Sequence, residues 1–204
     1  ADKAPDRTSV ALAAVSSLPD LAFPKIIRAG DDDSATGTQY LAQAAWSYAE
    51  DKWMRNGILS GIGGREPSFL QALLADMPAG AKVGAGMAEV LAYLGSSMTK
   101  PTELEVAAAA PEALRLALLS GYLASRKSAG LPASFQSLLD ASPAVATDKS
   151  KTIEARSVAV KLMARLPWER SGQALLTLAL DDAAPELAAA ALKAVVAYPK
   201  VEVS

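Results

Sequence analysis

The feature that most constrains this sequence is a repeat. Apolar residues recur at helical spacing in short segments closed by proline or glycine, and one such segment occurs again further along the chain. In 153–166 the stripe Val158, Ala159, Leu162, Met163 and Leu166 lies on one helix face. Pro167 closes that segment. Placing Glu154 to Pro167 over Glu186 to Pro199, an offset of about 32 residues, pairs the two glutamates, Ala159 with Ala191, Lys161 with Lys193, and the two closing prolines, while the apolar positions stay apolar. Asp6 to Pro19 fits the same frame, with Ser9, Val10, Ala11, Leu18 and Pro19 falling on Ser157, Val158, Ala159, Leu166 and Pro167. The repeat thus brackets the chain.

Period-two alternation bounded by turn residues is hard to find, so the expected class is all-α. Helices are predicted near 6–19, 38–49, 51–62, 67–77, 84–97, 102–110, 112–126, 133–141, 153–166, 169–181 and 185–198. Asp148 or Ser150 is the expected cap for the helix that starts near Ile153. Pro185 suits a first helical turn, and Glu186 suits the positive end of the helix dipole. Gly30 to Thr38, with its three consecutive aspartates, reads as an exposed loop. Short helices joined by short turns and repeating at roughly 30 to 45 residues predict an α-solenoid of antiparallel helix pairs over 1–204, in which each pair contacts only its neighbours. Alanine occupies more than a fifth of the positions. It favours helices and lets them approach closely.

The residue inventory excludes whole classes of chemistry. Cysteine and histidine are both absent, which removes disulfides, thiolate and imidazole metal sites and every triad with an imidazole base. With 20 basic and 22 acidic residues, the chain has no excess of positive charge for a phosphate backbone, so a nucleic-acid partner is not expected. No uncharged apolar run reaches the roughly 18 to 20 residues that span a bilayer. The best stretch, Ala107 to Ala124, is broken by Pro111, Glu112 and Arg115. The first residues lack the basic and apolar segments of a signal peptide. Membrane insertion is not expected, and no cofactor is implied.

Two stretches carry a family resemblance. Ala49-Glu50-Asp51-Lys52-Trp53-Met54-Arg55-Asn56-Gly57-Ile58-Leu59-Ser60 has an acidic residue four positions before an arginine. Thr152-Ile153-Glu154-Ala155-Arg156, running on through Leu166-Pro167-Trp168 to Pro185-Glu186-Leu187, has the same style. In order and spacing they resemble HEAT repeats, specifically the helical segment of large secreted dehydrogenase-like proteins of planctomycete and verrucomicrobial type. The resemblance implies an armadillo-type superhelix excised from a longer chain, between a β-propeller and a cytochrome c domain. It also implies a periplasmic or secreted location. This chain has no propeller and no Cys-x-x-Cys-His, so redox chemistry would belong to other parts of such a protein.

Each candidate site has a plainer structural reading. Asp31-Asp32-Asp33-Ser34-Ala35-Thr36-Gly37 offers hard oxygen ligands for calcium but lacks the EF-hand spacing, and Ala42 stands where a bidentate glutamate would fall. It reads as an acidic loop that caps the next helix. Gly61-Ile62-Gly63-Gly64-Arg65 has the form of an anion-binding turn, but helix-ending glycines explain it equally. Gly80 to Gly86 is a turn without the Lys-Ser/Thr of a phosphate loop. Ser97-Met98-Thr99-Lys100 has the Ser-x-x-Lys spacing of acyl-transfer enzymes without its companion motifs. Arg55 is expected to join acidic side chains of adjacent repeats, with Trp46, Trp53 and Trp168 packing between helices. Ala107 to Ala110 is expected to be a tight helix contact.

Catalytic, cofactor-binding and metal-ligating residues are therefore none, and no enzyme activity is expected of the chain itself. The expected role is a scaffold or docking module for proteins or flanking domains. The competing expectation is a solenoid that holds a small anion or glycan with Arg55, Arg65, Arg126 and Lys127. The last helix adds one more expectation. From Glu186 to Tyr198 its only charges are Glu186 and Lys193, and a terminal repeat needs a polar outer face, so something should cover it.

Overall fold

The computed structural model describes residues 19–32, 34–124, 130–181 and 183–198. Among these it has ten α-helices, one 3-10 helix and no strand, so the all-α expectation holds. The described residues fall into two compact units divided between Ala81 and Lys82. The first holds α1 (Pro19–Asp31), α2 (Ala35–Tyr48), α3 (Lys52–Gly61) and α4 (Glu66–Ala75). The second holds α5 (Ala85–Ser97), the 3-10 helix Pro101–Ala107, α6 (Glu112–Ala124), α7 (Ala133–Thr147), α8 (Ile153–Met163), α9 (Trp168–Ala179) and α10 (Pro185–Ala197).

Side-chain caps set three of the helix starts. Ser34 accepts the Gly37 amide at 3.2 Å ahead of α2, and Asp51 accepts those of Trp53 and Met54 at 2.8 and 3.0 Å ahead of α3, each satisfying donors that have no partner inside the helix. The cap of α8 is Thr152, which accepts the Ala155 amide at 3.3 Å. Asp148, one of the residues expected there, instead closes the preceding turn by accepting the amide and hydroxyl of Ser150 at 2.9 and 2.7 Å.

Prolines account for the misplaced boundaries. No helix is predicted over 20–31, yet α1 runs through Pro24 because Ala22, Ile26 and Ala29 are all buried. The same effect takes α7 six residues past its predicted end, to Thr147 through Pro143. There the buried Ser142 hydroxyl donates to the Leu139 carbonyl at 2.7 Å, the acceptor that residue 143 would have served had it carried an N–H. Gly30 and Asp31 therefore belong to α1, and Ala35 to Thr38 to α2, with Gly37 and Thr38 buried. Little of the predicted Gly30 to Thr38 loop remains. The segment near 102–110 is the short 3-10 helix, not an α-helix. Ala107 is buried, whereas Ala108 and Ala109 are exposed, so the tetrad is not a tight helix contact along its whole length. The predicted first helix, Asp6 to Pro19, lies outside the described residues except for Pro19.

Within each unit most helices pack on a chain neighbour and on the helix after that. In the first, α1 packs on α3 and α2 on α4, with α1 also against α2 and α2 against α3. In the second, α6, α8 and α10 form one row and α7 with α9 another, while α5–α6, α7–α8 and α9–α10 pack as consecutive pairs. Ile26, Leu41, Ile58, Ile62, Phe69 and Leu73 fill the first core, and Leu91, Leu104, Leu114, Leu139, Leu162 and Leu175 belong to the second.

Glycine pairs set the closest crossings. A Cβ on Gly121 would lie 1.8 Å from the Ala92 carbonyl oxygen, and one on Gly95 would lie 2.0 Å from that of Leu118. Helices α5 and α6 therefore touch backbone to backbone. Gly30 and Gly61 do the same for α1 and α3, where added Cβ atoms would sit 2.9 and 2.8 Å from the opposite Cα. Gly61, read from sequence as a helix-ending residue, is the last residue of α3 and serves this approach. The left-handed turn falls to Gly64, at φ 79°.

Candidate functional site

Two of the four candidate basic residues, Arg55 and Arg65, donate to backbone carbonyls. Arg65, in the turn after α3, donates to the carbonyls of Gly30 at 2.8 Å and Ala29 at 3.3 Å, and also to those of Asp32 and Gly61. Three of these acceptors lie at or just beyond the C-terminus of α1 and one at that of α3, where carbonyls have no helical partner and the helix dipole favours a cation. Arg55, four residues after the cap of α3, donates from Nη1 to the Ala49 carbonyl at 2.6 Å, the C-cap of α2. Arg126 and Lys127 lie outside the described residues.

The second unit repeats both contacts. Arg156 stands four residues after the Thr152 cap of α8 and donates from Nε to the Ala146 carbonyl at 2.9 Å, near the end of α7. It is only 8% exposed. Arg165, in the turn after α8, donates to the Ala124 carbonyl at 3.0 Å, the last residue of α6. Arg55 and Arg65 thus match Arg156 and Arg165 at an offset of about 100 residues. One arginine of each pair caps the preceding helix, and the other caps the helix stacked two before.

Tyr198 does the same one step further on. Just after α10, its phenol donates to the Met163 and Leu166 carbonyls at 2.5 and 2.8 Å, at and beyond the end of α8, and shares a hydrogen bond of 2.6 Å with the Ser171 hydroxyl. Its ring meets Trp168 edge-on at a centroid distance of 5.2 Å. Burial pushes its pKa above the usual tyrosine value, against a smaller opposing effect of the Ser171 hydrogen bond. These caps passed unrecognised in the sequence because their acceptors are backbone atoms, which no motif displays. The only sequence signal was the spacing of the arginines relative to the helix starts.

Two aspartates of the acidic run, Asp31 and Asp32, are among the described residues. Asp31 ends α1, Asp32 accepts the Ser34 amide at 3.0 Å, and Asp33 lies outside the described residues. Hydrogen bonds from Ser34 hold the Asp32 carboxyl below its ordinary value. Among the described residues no group of three or more acidic side chains is placed to hold a metal ion. The Ser97 hydroxyl donates to the Leu94 carbonyl at 2.7 Å within its own helix, and Thr99 is tied through its amide and hydroxyl to Glu103 at 2.9 and 3.0 Å. Gly80, at φ 71°, sits in the turn before α5, and Gly84 is the N-cap of that helix.

Of the tryptophans, Trp46 joins α2 to α4 by donating Nε1–H to the Leu73 carbonyl at 2.9 Å. Trp168 packs as expected, against Tyr198 and Gly172. Trp53 does not pack between helices, being 74% exposed on α3.

Among the open grooves of the described residues, two follow the helix rows. One, of about 600 Å³, lies between α2 and α4 and is lined by Thr38, Gln39, Arg65, Ser68, Gln71 and Asp76. The other, of about 270 Å³, runs across α5, α6, α8 and the start of α10, with Glu89, Glu154, Glu186 and Lys161 at its edge. Among the described residues, no helix is long and apolar enough to cross a membrane. No protein-family model, curated protein or solved structure matches this chain.

Proposed function

We propose that this chain is a non-catalytic helical-repeat module, an α-solenoid of HEAT type, that docks or spaces protein domains. The observation that carries the reading is the packing of alternate helices on one another, α1 on α3 and α2 on α4 in the first unit and α6 on α8, α7 on α9 and α8 on α10 in the second, with the same pair of arginines tying each unit. Units built on nearest-neighbour contacts present long continuous faces, which suit extended protein surfaces better than small substrates. Arg55 and Arg65, the cations of the small-ligand alternative, donate to helix-end carbonyls.

We also propose, from the resemblance of the two repeat-like stretches alone, that the module belongs to a secreted or periplasmic redox protein. A β-propeller upstream and a Cys-x-x-Cys-His downstream in the reading frame would support that setting, and their absence would overturn it.

The docking role is tested by cross-linking mass spectrometry on the native polypeptide, using the exposed lysines Lys161 and Lys193. Cross-links to a flanking domain or to one defined partner protein are expected, and their absence counts against docking. A thermal-shift panel of phosphate, sulfate, citrate and oligosaccharides is expected to leave the melting temperature unchanged. A saturable rise, which reaches about 2.7 kcal/mol at a hundredfold excess over Kd, would replace docking with ligand binding.

A further inference from the structure

The row α6, α8, α10 allows one helix to be compared with another in the same register. At the offset of about 32 residues, Ala159 matches Ala191, Val160 matches Leu192, and Ala164 matches Val196. Ala159 and Ala191 are both 0% exposed, so the side that faces the core is equally buried in the two helices. The side that faces along the row is not. Val160 is 0% exposed, whereas Leu192 is 53% exposed and Val196 82%. Helix α8 has a row neighbour on each side, α6 and α10, while among the described elements α10 has only α8. The residues left open on α10 are larger than their counterparts and equally apolar. Leu176 and Leu180 of the adjoining α9 segment are open as well, at 43% and 82%. A solvent-facing end of a helical stack would carry polar side chains here.

We infer that the face formed by Leu176, Leu180, Leu192 and Val196 is an internal joint, covered by a further helix pair of the same kind supplied by the same polypeptide downstream of Ser204. The occupant is identified by continuity with the α6–α8 and α8–α10 contacts, since one more helix in the row would give Leu192 the burial that Val160 has at the same register position. A second copy pairing this face with itself about a two-fold axis is the competing occupant, and it would make the cover depend on protein concentration. The inference rests on the repeat reading, and its test separates the two.

The sequence has no cysteine, so single cysteines can report cover. Leu192→Cys and Val196→Cys are introduced into the protein as it is encoded and into a version that stops after Ser204, and maleimide labelling of each site is followed by peptide mass spectrometry. Labelling at least tenfold slower in the encoded protein, independent of protein concentration, is the expected result. Equal rates, protection that disappears on dilution, or a native chain that ends at Ser204 would each overturn the inference. Val160→Cys is the control for the repeat reading and must stay protected in both versions. Rapid labelling there in folded protein would refute the repeat register itself, whatever happens at Val196.

Discussion

Arg156 Nε donates to the carbonyl oxygen of Ala146 at 2.9 Å, which seats a nearly buried guanidinium on the C-terminal end of the preceding helix. Its charge is accepted so far from solvent because that helix end presents carbonyls without helical partners and a partial negative charge. Replacement with methionine keeps most of the apolar stem and removes the donor. Charge-assisted hydrogen bonds contribute about 1.5 to 3 kcal/mol, so Arg156→Met should lower the melting temperature by roughly 3 to 12 °C. Arg55→Met, at the matching but more exposed position, should cost less. Thermal melts of the two variants check the order.

Gly121→Ala tests the backbone contact between α5 and α6. Alanine is the better helix former by about 1 kcal/mol, but its methyl would be driven into the Ala92 carbonyl. Overpacking of this kind costs about 1 to 3 kcal/mol or more, so a net loss of stability is expected in chemical denaturation. Gly95→Ala should act likewise. The double variant should lose less than the sum, because a crossing once opened accommodates the second methyl more easily.

Tyr198 gives the fold an alkaline limit. Burial raises its pKa above the ordinary value of 10.0, so its contribution is complete below about pH 10 and is lost as pH rises through the folded value. Tyr198→Phe should lower stability at pH 7 by about 1 kcal/mol, the net value of a typical hydrogen bond. It should also flatten the loss of stability above pH 10. Tyr40 is raised by burial as well, so some alkaline sensitivity should remain. Melting temperatures measured from pH 7 to 11 separate the two effects.

The tryptophans should behave in opposite ways. Trp53→Gln, at a site 74% exposed, should change stability by no more than about 0.5 kcal/mol. Trp46→Phe leaves the Leu73 carbonyl without its indole donor and should cost about 1 kcal/mol. Equal losses in the two melts would contradict the described packing of α2, α3 and α4.

The all-α class and most helix positions were legible because a helix face imposes its period on a short stretch of sequence, as in Val158, Ala159, Leu162 and Met163. Helices that run through proline were not. In α7 the Leu139 carbonyl is met by the buried Ser142 hydroxyl, and α1 holds through Pro24 by burying Ile26. The candidate sites were legible as residue types but not as roles. That Arg55 and Arg65 donate to helix-end carbonyls was not legible, because such acceptors are identical in every residue and are selected only by where two helix ends meet.

By itself, then, the sequence determined the helical class, the repeat of about 32 residues near its C-terminal end and the exclusion of imidazole and thiolate chemistry, since each follows from residue identity or local period. The tertiary structure alone decided that α5 and α6 meet through Gly95 and Gly121, that Arg156 and Tyr198 cap helix ends, and that Val160 is covered where Leu192 is open. Those outcomes depend on distances between segments far apart in the chain, which only packing sets.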